Sequence, residues 1–76
     1  MNAKRKAQLK KCLGRLNDEL ELLERLMDEE QDAKENMPEN LRYSQRYEES
    51  EEAYDTMQSA KDLLEDAADE LEELTA

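Results

Sequence analysis

Asn36-Met37-Pro38-Glu39-Asn40-Leu41-Arg42-Tyr43-Ser44 holds the only proline of the chain and is the one stretch in which helical patterning stops. Proline has no N–H to donate, and it disfavours helical backbone in the residue before it, so a helix reaching this point ends here. Ser44 suits an N-cap, its hydroxyl accepting from an amide that a helix start leaves unpaired. Pro38 fits the first position of a short turn, Pro38 to Leu41. The stretch therefore predicts a fold-back at 36–44 between two helices, about 3–35 and about 45–74, within one domain spanning 1–76.

On the N-terminal side, Leu9, Leu13, Leu16, Leu20, Leu23 and Met27 follow one another at alternating steps of four and three, the seam of a coiled-coil helix. Cys12 and Leu26 widen this seam on one side, and Leu22 lies further round. Gly14 is costly in a helix interior, by about 1 kcal/mol against alanine, and marks a place for the basic N-terminal turns to fray. On the C-terminal side the seam runs from Tyr47 through Tyr54, Met57, Leu64, Ala68 and Leu71, with Ser50 and Lys61 at its polar positions. Ala53, Ala60 and Ala67 recur every seven residues beside it, with Leu74 next. Small side chains at that spacing allow close helix approach. The expected fold is all-α: a two-helix antiparallel hairpin, coiled-coil-like, with an alanine-rich seam.

The two seams match when Leu9 faces Leu71, Leu13 faces Ala68, Leu16 faces Leu64, Leu23 faces Met57 and Met27 faces Tyr54. The numbers in each pair total 80 or 81. A seven-residue slip is the competing register. Charge agrees with the antiparallel pairing. All six charges in residues 1–17 are basic, whereas residues 18–76 carry 22 acids against five basic side chains. Cations at a helix N-terminus and acids at a C-terminus each oppose the macrodipole, by about 0.3–1 kcal/mol apiece. Both are tolerable when the two termini lie side by side, so the basic arm is expected to pair with acidic turns of the same or a neighbouring chain. A single seam is a small core for 76 residues, and self-association into a four-helix bundle is expected.

Composition narrows the function. Net charge is −11, histidine is absent, and the one cysteine cannot form an internal disulfide. The commonest general base and metal ligand are thus missing, and no glycine-rich phosphate loop replaces them. No enzyme, cofactor or metal is expected. The acids spaced four apart, such as Glu48/Glu52 and Asp66/Glu70, lie on straight helix faces that offer neither a cleft nor a liganding loop. Cys12, beside the seam, reads as a half-buried packing thiol rather than a nucleophile. Lys10 and Lys11 interrupt any apolar run behind the basic start, so neither a signal peptide nor a membrane span is expected, and the cytoplasm is the expected compartment. The overall sign argues against direct nucleic-acid binding.

Protein interaction remains. Tyr43, Tyr47 and Tyr54 are the only aromatics, and tyrosine is enriched in binding hot spots. With Met37 and Leu41 they form the candidate partner-binding set near the turn. The alternative function is a nucleic-acid mimic, an acidic rod that occupies the positive groove of a host DNA- or RNA-binding protein.

Asp28-Glu29-Glu30-Gln31, the Asn36–Leu41 run and Ser44-Gln45-Arg46-Tyr47-Glu48, followed by alanine- and leucine-spaced acids, resemble a group of small bacterial proteins of prophages and mobile elements. The resemblance implies a helical hairpin in a mobile-element setting and carries over no catalytic or binding residue. Tyr43 stands where a small residue is more usual in that group.

Overall fold

The computed structural model describes residues 1–42 and 44–76. Helix α1 (Ala3–Glu35) and helix α2 (Gln45–Thr75) pack against each other as an antiparallel hairpin, with a 3-10 turn at Glu39–Leu41 between them. The result is a rod measuring 59 × 15 × 14 Å. Among the described residues there is no strand, and no helix is long and apolar enough to cross a membrane.

Local chemistry fixes each boundary. The Asn2 side chain accepts from the Arg5 amide at 2.8 Å and caps α1, a signal the sequence reading overlooked. At the other end the Asn36 and Met37 amides donate to Asp32 and Lys34 at 3.0 and 3.2 Å, and Pro38 takes an extended conformation. The Leu41 amide then donates to the Pro38 carbonyl at 2.9 Å, closing the short turn. The Ser44 hydroxyl donates to the Leu41 carbonyl at 2.6 Å and accepts from the Tyr47 amide at 3.3 Å. One side chain thus ties the turn to α2. No described residue has positive φ, so the reversal needs no glycine.

The seam is the expected one. Leu13, Leu20 and Met27 of α1 and Ala68 of α2 are buried, and Leu9, Leu16, Leu23, Met57, Leu64 and Leu71 are half-buried along the same line. Full burial of a leucine or methionine contributes about 1.5–3 kcal/mol, so these few residues hold most of the fold. Three expectations need correction. Ala53, Ala60 and Ala67 are exposed, and only Ala68 enters the seam. The alanine row lies one residue away from Tyr54, Lys61 and Ala68, and that step of about 100° turns it out of the interface. Cys12 is exposed for the same reason, standing one residue before buried Leu13. Gly14 interrupts nothing: α1 is continuous through it, and no side chain and no backbone beyond its own helix turn lies within 4 Å of where a Cβ would be.

Polar contacts fix the register. The buried Ser50 hydroxyl donates to Glu30 at 2.7 Å, and Lys34 lies 5.7 Å over the Tyr47 ring while reaching Glu51 at 3.9 Å. Lys61 bonds Glu24 at 3.3 Å and Glu65 at 3.7 Å, and Lys6 donates to the Ala76 carbonyl at 3.2 Å. The numbers in the cross-helix pairs total 80 to 85. A seven-residue slip would total about 73 or 88 and is excluded. The basic arm does not pair with acids of its own chain: among the described residues the ion pairs belong to Lys34 and Lys61.

Lys61 also carries a pH signature. Its hydrogen bond to Glu24 outweighs desolvation and, with the charges of Glu24 and Glu65, holds its ammonium above the ordinary 10.5. The folded state then binds this proton more tightly than the unfolded chain. The resulting stability is fully present below the unfolded value and is lost as pH rises through the raised one. Lys61→Met is expected to remove that alkaline loss, seen as a smaller drop in melting temperature between pH 9 and 11.5 than in the parent.

Candidate interaction surface

An antiparallel pair puts equivalent flanks of its two helices on the same side, and here the two sides differ in chemistry. On one side Asn17, Glu21 and Glu24 of α1 meet Glu65, Asp69 and Glu72 of α2 around a polar groove floored by Leu20 and Ala68. Further along, Glu24, Asp28, Gln58 and Lys61 cover Met27 and Tyr54. This is the acidic flank. On the other side, by helix phase, stand Cys12, Glu19 and Leu26 of α1 with the alanine row and Leu74 of α2, and Leu63 a little further round, all exposed. This is the apolar flank. The half-buried leucines Leu16, Leu23, Leu64 and Leu71 border it, whereas the buried row Leu13, Leu20 and Met27 borders the acidic flank.

At the turn end the apolar flank opens into a groove of about 500 Å³ lined by Ala33, Asn36, Met37, Pro38, Leu41, Ser44 and Arg46. A neighbouring groove shares Ala33, Met37 and Arg46 and extends to Glu30, Glu49 and Ser50, so the depression runs from the turn along the same side of both helices. Met37 is half-buried in its wall and Leu41 is exposed at its edge.

The four described residues among the five singled out from the sequence do not form one patch. Met37 and Leu41 come together in the turn groove. Tyr47 is half-buried in the seam with the Lys34 ammonium above its ring, an arrangement worth about 0.5–1 kcal/mol at such sites. Tyr54 lies further down the seam and lines the acidic flank. Tyr43 lies outside the described residues. Sequence reasoning missed Arg46 and Ala33, which flank the groove, and Leu63, at 69% the most exposed large apolar side chain among the described residues. One signal was available: Leu63-Leu64 doubles a seam position that needs only one leucine.

In a comparison with protein-family models, curated proteins and solved structures, the chain matches none.

Chemically, the turn groove suits an apolar side chain, with the Arg46 guanidinium beside it to donate to a carbonyl or carboxylate. Among the described residues no three acid or thiol side chains converge as metal ligands would. Cys12 sits among Gln8, Lys11 and Arg15 on the surface.

Proposed function

We propose that this chain is a non-enzymatic interaction protein, a self-associating helical hairpin that works in the cytoplasm as a phage or mobile-element accessory and presents its turn end to a protein partner. The turn groove carries the reading. It is an open apolar depression beside Arg46, at the end of the rod where the 3-10 turn lies. The mobile-element setting rests on the sequence resemblance alone.

Leu41→Asp with Arg46→Glu is expected to cut partner capture from a native-host lysate at least tenfold while leaving helix content unchanged, because both side chains are exposed. Equal capture by parent and variant removes the groove from the reading. The nucleic-acid-mimic alternative has one supporting observation: the acidic flank lines up carboxylates along a 59 Å rod. The same capture run at low salt separates the two. A mimic draws DNA- or RNA-binding proteins whose recovery falls steeply with salt and ignores the Leu41 and Arg46 changes.

A further inference from the structure

We propose that a second copy of this chain docks on the apolar flank with its turn beside this chain's turn, closing a four-helix bundle around a two-fold axis along the rod. The inference rests on the self-association reading above and commits it to one face and one orientation.

Surface area sets the need. The chain exposes 6017 Å², whereas a compact monomer of 8.9 kDa exposes about 4,800 Å² by the usual size scaling. The excess of about 1,200 Å² per chain is more than the roughly 800 Å² that each partner gives up in a standard-size interface. Its apolar part is concentrated on one side. Leu26, Leu63 and Leu74 are 44%, 69% and 54% exposed, and the leucines bordering them are only half-buried. The acidic flank has no such surplus, since its charged side chains already cover the buried row.

Charge chooses the orientation. Helix α2 carries twelve acids against two basic residues, and α1 nine against eight. A face-to-face pair with hairpins reversed lays α1 on α1 and α2 on α2, bringing the two strongly acidic helices into contact. With turns side by side, each α1 lies on the partner's α2, and the two α2 helices meet only across the diagonal. That arrangement also supplies what the isolated hairpin withholds from its basic arm. Arg15 of α1 is level with Ala67 and Glu70 of α2, so a partner's acidic C-terminal turns come within its reach. Leu26 falls within the span of Ala53 and Ala60, so large side chains meet small ones across the new interface.

Sedimentation of the full chain at micromolar concentration is expected to give twice the chain mass; a folded monomer overturns the proposal. Leu26→Glu with Leu63→Glu should weaken association at least tenfold and yield a monomer. Asn17→Ala with Gln58→Ala, on the acidic flank, should leave the mass unchanged. The reverse result assigns the interface to the other side and overturns the face. For orientation, a nitroxide on Glu39→Cys in a Cys12→Ser background reports the turn-to-turn distance by pulsed dipolar spectroscopy. Turns side by side give about 20–30 Å, two helix diameters plus linkers; a distance near the full rod length overturns the orientation. Neither result depends on partner capture: the turn groove opens on this same flank, so the docked copy lies beside it, and capture lost by the Leu41 and Arg46 variant with the dimer intact separates failure of one reading from failure of the other.

Discussion

Leu20→Ala is expected to destabilise the hairpin by about 2–5 kcal/mol, the usual range for removing a buried leucine side chain. Leu20 is 8% exposed and is one of only four buried apolar residues among those described. A core of this size supplies no more than about 3–5 kcal/mol in all. The variant should therefore lose most of its helical circular dichroism at 25 °C, where the parent melts cooperatively on heating. Arg25→Ala, on the exposed face of the same helix, should stay within about 0.5 kcal/mol of the parent. Equal melting of the two variants would mean that the α1–α2 seam is not what holds the fold.

Ser50→Asp is the second large effect. Ser50 is 6% exposed and its hydroxyl donates to the Glu30 carboxylate at 2.7 Å. An aspartate there removes the donor, buries a charge and places it against a like charge. Leaving a buried charge without a partner costs about 3–5 kcal/mol, enough to unfold a hairpin of this stability. Ser59→Asp makes the same chemical change at an exposed position of the same helix and should be nearly silent. The Ser50→Asp loss should shrink on acidification, because a proton shared between the two carboxyls relieves the repulsion and restores a donor. A loss independent of pH, or equal at the two serines, would rule out the buried hydrogen bond as the cause.

The fold was legible because its decisive signals are periodic and opposed. The alternating three- and four-residue steps from Leu9 to Met27 and from Tyr47 to Leu71 fix the two seams, and Pro38 with Ser44 fixes where one helix stops and the next begins. The width of each seam was not legible. Spacing placed Leu13 and Ala68 in the seam, as the structure has them, but did not report that their neighbours Cys12 and Ala67 turn out of it. How far a seam spreads to either side is decided by the larger side chains of the facing helix. The candidate site was partly legible. Loss of periodicity marked Met37 and Leu41, but nothing in the sequence puts Arg46 against them, because that neighbourhood exists only after the chain reverses. Tyr47 was placed correctly in the seam by its period, yet the Lys34 ammonium above it comes from the other helix. Ser50 and Lys61 were visible as polar interruptions, and the structure shows them as the points that hold the register.

The contact between Lys6 and the Ala76 carbonyl places the two ends of the chain beside each other. Tension applied through those ends therefore acts across the rod rather than along it. The layer of Leu9 and Leu71 would part first and each later layer would bear the strain in turn, so resistance at any moment comes from one or two side-chain pairs. The Ser50–Glu30 bond and the turn groove are at the far end and would separate last. Mechanically the hairpin is a zipper, with the surface proposed to meet a partner placed where strain from the termini arrives latest.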